Sequence, residues 1–239
     1  MNLNRMFHVV RLLWFPALLV FLAACTLPLQ ASRCGGESPL PMPEGLPDGC
    51  TQALLVAGEG SWLFREDRVC AVHRQGDRWV RAFGPFPAAI GRNGFAPPGE
   101  KREGDGRTPS GTYRLAYAFG YAGSVSTKMP YRQALEDDLW VDDPDAPDYN
   151  RWVRRRETSA ASYERMKRDD DLYRYGVVID YNADPVVRGR GSAIFLHVWR
   201  GARSATAGCV AVSEANILKI LAWLDPAASP VIVINPGGR

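Results

Sequence analysis

The segment IFLHVWRGARSATAGCVAV, residues 194–212, places His197 twelve residues before Cys209. Apolar neighbours predict a buried strand over 195–199, then a loop of small residues over 201–207, then a second extended segment from the cysteine. Such an arrangement brings the two side chains side by side. Cysteine attacks carbonyl carbons as the thiolate, and a neighbouring imidazole takes its proton and stabilises the anion. The segment therefore predicts a catalytic Cys–His ion pair, with a buried thiol and a hydrogen-bonded core histidine as the structural alternative.

The residues just before the cysteine are suited to hold an oxyanion. Gly208 has no Cβ atom, so a substrate carbonyl can approach the backbone closely. The N–H groups of Gly208 and Cys209, together with that of Ala207, are candidates for stabilising the negative oxygen. Thr206 is a candidate for positioning the thiol or a donor peptide, and the alternative is a loop hydroxyl that bonds its own backbone.

Several ordered motifs resemble the L,D-transpeptidase catalytic-domain family, also called YkuD-like. The turn TAGC, residues 206–209, resembles the family's Ser/Thr-x-Gly-Cys turn, and EGDGRTPSGTY, residues 103–113, resembles its Thr-Pro-x-Gly-x-[Phe/Tyr] motif. Similarity continues in FPAAIGRNG (86–94), WVDDPDAPDYN (140–150), YGVVIDYN (175–182) and GSAIFLHVW (191–199). Because these motifs extend over residues 52–235, the chain is identified as a member of the family.

The resemblance implies a peptidoglycan L,D-transpeptidase that acts in cell-wall cross-linking or remodelling. Cys209 would attack the carbonyl of the third residue of a stem tetrapeptide, expel the terminal D-Ala and pass the acyl group to an amine or to water. His197 would serve as general base and then as general acid. The sequence places no carboxylate near His197, so a backbone carbonyl or a hydroxyl is expected to orient its ring. Acylation of the cysteine by carbapenems is also implied.

Two other functions stay open. One is hydrolysis by the same residues, as an L,D-carboxypeptidase or as an enzyme that releases lipoprotein from peptidoglycan. The other is a non-catalytic binding module of the cell envelope. It stays open because Ala211 stands where many members of the family carry an arginine. Ala207 is a second departure, since many members carry a histidine there. The chain is therefore interpreted as a divergent branch in which recognition of a substrate carboxylate is rebuilt.

Three arginines and two other residues are candidates for contact with the substrate. Planar guanidinium groups suit carboxylate partners, although arginines are also common on solvated loops. Arg200 and Arg203 lie in the loop between the two reactive residues, and Arg92 lies in the IGRNG turn. Trp199 and Asn182 are weaker candidates for the wall of the pocket.

Residues 1–24 have the features of a lipoprotein signal peptide with a lipobox. An apolar run of about thirteen residues follows two arginines, whereas a transmembrane span needs about twenty. The run ends in Leu-Ala-Ala-Cys, which resembles the lipobox whose cysteine, here Cys25, carries the lipid. Thr26 rather than Asp follows it, so we expect a periplasm-facing lipoprotein of a Gram-negative outer membrane. Cleavage near Ala31 to give a soluble periplasmic protein is the alternative.

Residues 25–50 are rich in proline and glycine, which predicts a tether, and residues 51–239 form the predicted catalytic domain. Cys34 and Cys50 bracket the tether segment CGGESPLPMPEGLPDGC. A disulfide that closes a loop of this size is worth roughly 3 kcal/mol in the chain-entropy model. Pairing of either cysteine with Cys70 is the alternative, because spacing alone does not fix connectivity.

The composition argues against several other classes of protein. The 29 Lys and Arg and 26 Asp and Glu residues become 27 against 26 without the two signal-peptide arginines, so nucleic-acid binding is not indicated. The mature chain has only His73 and His197 and no His-x-His or His-Glu-x-x-His pair, so no metal site is predicted. GDGRTPSG lacks the Lys-Ser/Thr pair of a phosphate-binding loop. We therefore expect no cofactor.

The remaining pattern predicts a mainly β domain, a mixed β-sandwich with one or two packing helices. Ser213 is expected to cap a helix with one apolar face, and 159–167 is a candidate second helix. Residues 120–150 carry many Pro, Asp and Gly residues, so we expect an ordered insertion over the site. The expected strands are 52–57, 69–74, 79–83, 112–119, 176–181, 193–199 and 231–234, with Gln75-Gly76-Asp77 as a hairpin turn.

Overall fold

Short strands dominate the structure, a computed structural model that describes residues 42, 45–59 and 66–235. One α-helix, α1 (Glu214–Trp223), lies among the described residues. The strands are β1 (Gln52–Glu59), β2 (Glu66–Gln75), β3 (Arg78–Pro87), β4 (Phe95–Ala96), β5 (Thr108–Pro109), β6 (Gly111–Gly120), β7 (Tyr131–Gln133), β8 (Asp138–Val141), β9 (Trp152–Arg154), β10 (Tyr163–Arg165), β11 (Tyr175–Ile179), β12 (Phe195–Val198), β13 (Val210–Val212) and β14 (Val231–Ile234).

Nine of these strands form one mixed sheet. The strand order is β13-β12-β11-β6-β14-β1-β2-β3, and β7 pairs with β6 outside this path. The pairs β1–β14, β12–β13 and β6–β7 are parallel. Two smaller sheets, β10-β8-β9 and β4-β5, complete the strands. The prediction of a mainly β domain with a packing helix is confirmed.

Helix α1 packs on one face of the nine-stranded sheet. Its start is fixed by Ser213, whose Oγ accepts a hydrogen bond from Asn216 N at 3.3 Å. Ile217, Ile220 and Leu221 are fully buried in the main core cluster, which includes the sheet residues Leu196 and Val210. Burial of this apolar face stabilises the helix in place behind β11 and β12. The helix predicted after Ser213 is therefore confirmed.

Aromatic side chains cover the opposite face of β11 and β12. Phe195 packs edge-to-face on Phe119, Trp140 and Tyr173, with ring centroids 5.4, 4.9 and 5.5 Å apart. Cys209 belongs to the same buried cluster. Trp140 comes from β8, so the small sheet β10-β8-β9 forms a cover over this part of the large sheet.

The helix predicted over 159–167 is wrong. β10 occupies the middle of this segment and pairs antiparallel with β8, with Tyr163 opposite Val141. Met166 N donates to Asp138 O at 3.0 Å, and the Met166 side chain is fully buried. Cross-strand hydrogen bonds thus replace helical ones, because helix propensity is a weak preference that tertiary packing overrides.

The hairpin prediction is confirmed. Strands β2 and β3 pair with Gln75 opposite Arg78, and Gly76 in the turn between them has φ +59°.

Residues 1–24, Cys25 and Cys34 lie outside the described residues. Cys50 is a buried free thiol whose Sγ donates to Gln52 O at 3.5 Å, and its pairing with Cys34 stays a prediction.

In the part of the chain that the structure describes, no helix is both long enough and apolar enough to cross a membrane.

Candidate active site

Strand register places His197 and Cys209 on one face of the large sheet. In the parallel pair β12–β13, Leu196 lies opposite Val210 and His197 lies opposite Ala211. Side chains alternate between faces, so Leu196 and Val210 enter the main core while His197 points to the other side. Cys209 directly precedes β13 and belongs to that second side. The sequence prediction that two strands bring these side chains to one site agrees with this geometry.

Both residues line a cavity of about 570 Å³. The loop after β12, the turn before β13, the segment 101–104 and the region around β10 supply its walls. Charges of both signs face this space. The charged residues that line it are Arg92, Lys101, Glu103, Asp142, Glu164, Arg168 and Arg200.

The thiol of Cys209 is buried, with 7% of the residue exposed. Sγ donates to Ala193 O at 3.2 Å and accepts from Phe195 N at 3.4 Å. Burial raises the pKa of Cys209 to about 12, and the Phe195 N–H bond only partly opposes this, while the Glu164 carboxylate adds to it. The thiol is therefore protonated at neutral pH.

The imidazole of His197 is held from two sides. Its ring lies edge-on to Tyr173, with centroids 5.2 Å apart, and Nδ1 lies 2.7 Å from Val198 O. A carbonyl oxygen only accepts hydrogen bonds, so Nδ1 carries the proton and Nε2 keeps its lone pair. Burial lowers the pKa of His197 to about 4, which keeps the ring neutral. The expectation that a backbone carbonyl orients the ring is confirmed.

Burial disfavours the predicted thiolate–imidazolium pair in the resting structure. Desolvation penalises the charged forms of Cys209 and His197 together, so the neutral thiol and the neutral imidazole are favoured. The thiol also donates to Ala193 O rather than to the histidine.

Hydroxyl groups clamp the turn that carries the nucleophile. Thr206 Oγ1 donates to Cys209 O at 2.7 Å and accepts from Gly208 N at 3.1 Å. Thr108 Oγ1, fully buried on β5, lies 3.3 Å from the same carbonyl of Cys209 and donates to it. The threonine before the cysteine thus positions the backbone of the turn. The Gly208 N–H is engaged in this clamp, so Ala207 N and Cys209 N remain as candidates for the oxyanion.

Only glycine fits at the position before the nucleophile. Gly208 has φ +157°, and a Cβ atom there would lie 3.0 Å from Arg107 O and 3.3 Å from Ile194 Cδ1. Both distances are tighter than nearly all Cβ contacts, and the first neighbour is backbone. The turn can therefore approach the segment before β5 only with glycine.

The predicted substrate-contact residues divide into two groups. Arg92, Trp199 and Arg200 line the cavity, and Arg200 makes an ion pair with Asp170 at 3.1 Å. Arg203 is exposed and is not among the lining residues.

Asn182 has a structural role away from the cavity. It adopts φ +51°, and its Nδ2 donates to Val187 O at 2.9 Å and to Gly191 O at 2.8 Å. These bonds close the loop after β11, and asparagine tolerates this left-handed conformation better than most residues. The prediction that Asn182 forms part of the pocket wall is not supported by this geometry.

Sequence reasoning missed several charged residues of the cavity. Glu103 Oε2 accepts hydrogen bonds from Tyr149 Oη at 2.5 Å and from Ser192 Oγ at 2.7 Å. Glu164 lies beside Arg168 at 2.9 Å, yet burial keeps the pKa of Glu164 above its ordinary value. Glu103 stands in the EGDGRTPSGTY motif, which was the only signal for it. Glu164 and Arg168 lie in or beside the segment mispredicted as a helix.

Across the described residues, no group of three or more His, Cys, Asp or Glu side chains is arranged to hold a metal ion. The reactive groups of the cavity are a thiol, an imidazole and backbone N–H donors. This set is suited to nucleophilic acyl transfer.

The fold and the site together define a mainly β domain with a cysteine–histidine site. Residues 62–233 match the family model of the YkuD domain, the L,D-transpeptidase catalytic domain. The chain therefore belongs to the L,D-transpeptidase catalytic-domain family, as its motifs predict. No curated protein and no solved structure matches it significantly.

Proposed function

We propose that the protein is a cysteine L,D-transpeptidase of peptidoglycan stem peptides. The observation that carries this proposal is the placement of Cys209 and His197 on one face of adjacent strands, in one cavity. Membership of the family supports the class of reaction. The lone pair on His197 Nε2 supports the role of the histidine as general base.

The first half-reaction forms a thioester. Cys209 Sγ turns from Ala193 O, gives its proton to His197 Nε2 and forms a bond to the carbonyl carbon of the third stem residue. The N–H groups of Ala207 and Cys209 stabilise the oxygen that becomes negative. The C–N bond to the terminal D-Ala then breaks, and the imidazolium donates its proton to the leaving amine.

The second half-reaction transfers the acyl group. An acceptor amine, or water, loses a proton to His197 Nε2 as it attacks the thioester carbonyl. The C–S bond breaks, and the histidine returns the proton to Cys209. The acceptor decides the product: a cross-link, an exchanged D-amino acid, a lipoprotein attachment or a hydrolysed tripeptide.

The charges of the cavity suit such a substrate. A stem peptide that contains a diamino acid carries both ammonium and carboxylate groups. The cavity presents carboxylates at Glu103 and Glu164 and guanidinium groups at Arg92 and Arg200. Complementary charge favours binding of a zwitterionic peptide over a purely apolar one.

Mass spectrometry of muropeptide products tests the function. Purified disaccharide-tetrapeptide is incubated with wild type and with Cys209→Ala, each with and without an amine acceptor. A transferase releases D-Ala and gives the acceptor conjugate only with wild type. Tripeptide as the sole product even with excess acceptor would indicate a hydrolase, and no product at all would favour a binding module.

We also propose that the protein faces the periplasm and is anchored by a lipid on Cys25. We propose further that carbapenems acylate Cys209. The lipobox-like Leu-Ala-Ala-Cys ending at Cys25 supports the anchor, and family membership supports the inhibition. One carbapenem mass on the Cys209 peptide is the expected result of incubation with the drug. An adduct on Cys70, or none at high excess of drug, would contradict an open and reactive site.

A further inference from the structure

A buried ammonium group lies beside the turn that carries the nucleophile. Lys101 lies in the segment between β4 and β5, is only 4% exposed and lines the cavity. A Cβ atom placed on Gly208 would lie 3.7 Å from Lys101 Cε, and one placed on Gly191 would lie 3.3 Å from Nζ. The two glycines thus leave room for the lysine side chain next to Cys209.

The positive charge of Lys101 is held in place by its own loop. Nζ donates to Asp105 Oδ1 at 2.7 Å and to Arg102 O at 2.6 Å. Asp105 also accepts hydrogen bonds from the N–H groups of Arg102 and Arg107, each at 2.8 Å. Although burial opposes ionisation, these bonds keep the pKa of Asp105 below its ordinary value. The carboxylate is therefore ionised, and it pairs with the ammonium group inside the protein.

Charged groups face Cys209 from three parts of the chain. Glu164 on β10 disfavours a negative charge on the sulfur, whereas Lys101 and Arg168 favour one. Arg168 is already engaged by two hydrogen bonds to Asp170 and one to Glu164. The ring neighbours of the site, Tyr173 and His197, are neutral in the resting structure.

Position 211, where many family members carry an arginine, is a buried alanine in this chain. Ala211 exchanges backbone hydrogen bonds with Ala89, each at 2.8 Å. No charge arises from this position of β13. Lys101, in contrast, lies beside the nucleophile turn, with its Cε 3.7 Å from the Cβ position of Gly208.

We propose that Lys101 is an electrostatic positioning residue for Cys209, whose buried ammonium group stabilises the thiolate and the negative oxygen of the tetrahedral intermediate. Two unit charges a few ångströms apart interact far more strongly in a buried site than in water. The effect on the thiolate needs no substrate. The effect on the intermediate rests on the proposed transpeptidase function.

Alkylation of Cys209 tests the proposal without any peptidoglycan substrate. The full chain is treated with iodoacetamide between pH 7 and 10, and the Cys209 peptide is quantified by mass spectrometry. Lys101→Met is expected to slow alkylation at pH 8 on the order of tenfold. Lys101→Arg keeps the charge and is expected to stay within about threefold of wild type. Lys128→Met, which removes an exposed ion pair with Asp225, is the matched control.

Asp105→Asn gives a prediction of opposite sign. It removes the counter-charge and leaves the ammonium group, so alkylation should become faster than in wild type, again on the order of several-fold. If Lys101 only holds its loop in place, both Lys101→Met and Asp105→Asn should change the alkylation rate of Cys209 in the same direction. Thermal unfolding of each variant shows which ones keep the fold.

The proposal is overturned if Lys101→Met reacts at the wild-type rate, or if Asp105→Asn slows alkylation as Lys101→Met does. A second assay separates this proposal from the proposed function. Wild type that turns over no muropeptide while the alkylation rates follow the expected order would refute the transpeptidase function alone. In an active enzyme, Lys101→Met should lower kcat more than it changes KM.

Discussion

Burial controls the proton at both reactive residues. His197 is 5% exposed and Cys209 is 7% exposed, so neither charged form is solvated in the resting site. Nucleophilic attack by a neutral thiol needs a base within reach, and Nε2 of the histidine carries the lone pair that can take the proton, since Nδ1 donates to Val198 O. Loss of a general base of this kind costs about 10²–10⁴-fold in rate.

The low pKa of His197 predicts an acid-sensitive stability. Burial lowers this pKa from its ordinary 6.5 to about 4, so between these values the unfolded chain binds a proton that the folded chain does not. The free energy of unfolding should therefore fall as pH drops from about 6.5 to about 4, by up to about 3 kcal/mol. Urea unfolding of wild type and His197→Gln across this range measures the contribution.

His73→Gln is the control, since His73 lies on β2 away from the cavity. It should keep the acid dependence of wild type. If His197→Gln and wild type lose stability in parallel over this range, the histidine is not buried in its neutral form.

Among the arginines, Arg200 and Arg203 form a matched pair. Arg200 lines the cavity and Arg203 does not, although both belong to the same loop. Arg200→Ala should raise KM for tetrapeptide by an amount equivalent to about 1.5–3 kcal/mol if it binds a carboxylate by a charge-assisted bond. Arg203→Ala should leave KM unchanged. A raised KM for Arg203→Ala but not for Arg200→Ala would show that the loop adopts another arrangement with substrate. If neither substitution changes KM, Arg92 is the next residue to test.

At the scale of elements, the hydroxyl of Thr206 makes two hydrogen bonds to the turn before β13. Thr206 Oγ1 accepts from Gly208 N and donates to Cys209 O, so it fixes the direction of the N–H groups that follow. Removal of the hydroxyl leaves two backbone groups of the turn without this partner, which typically costs about 1–3 kcal/mol when they are buried.

Thr206→Ala is therefore expected to lower kcat about tenfold or more with little change in KM, since one mispositioned oxyanion donor costs at least that much. Thr206→Ser keeps the hydroxyl and should retain most of the activity. Steady-state kinetics of wild type, Thr206→Ala and Thr206→Ser on tetrapeptide muropeptide test this expectation. Equal rates for all three proteins would mean that the hydroxyl is not needed to position the turn.

The sequence predicts that a strand, a short loop and a second strand bring His197 and Cys209 together, and the parallel pairing of β12 with β13 agrees with this arrangement. The period of two along β12 and β13 places His197 and Cys209 on one face, and that period is visible in the residues themselves. Lys101 and Glu103 were not predictable in the same way. Their position depends on the parallel pairing of β4 with β5 and on contacts with residues about ninety positions later, such as Ser192.

The mispredicted helix has a similar cause. Residues 159–167 contain helix-compatible residues, but their backbone bonds to β8 across the cover of the site. Propensity is local, whereas this pairing depends on where residues 120–150 fold back. Where a strand distant in sequence supplies the backbone hydrogen bonds, it overrides the local preference for a helix.

At the scale of the whole molecule, the family match covers residues 62–233, and the proposed anchor at Cys25 lies outside the described residues. Cys25→Ala should release the protein from membranes, because the lipid would have no attachment site. Its activity on soluble muropeptides should stay at the wild-type level, since the cavity is built from residues 92–211. Fractionation of membranes and soluble extract, followed by the muropeptide assay, checks both outcomes. Membrane retention of Cys25→Ala would contradict lipidation at this residue.

Strands β11 and β12 are covered on both faces of the large sheet. Helix α1 supports β11 and β12 from behind, and the small sheet β10-β8-β9 covers the side that carries the reactive residues. This packing buries Cys209, and burial raises the pKa of its thiol.

The most direct measurement is the intact mass of the protein after rapid acid quench of a reaction with disaccharide-tetrapeptide. Wild type should gain the mass of the substrate less D-Ala, with the thioester on the Cys209 peptide, and His197→Ala should accumulate far less of it in the same time. Cys209→Ala should show no adduct. Release of D-Ala by Cys209→Ala at the wild-type rate, or an acyl group on any other residue, would contradict the assignment of Cys209 as the nucleophile.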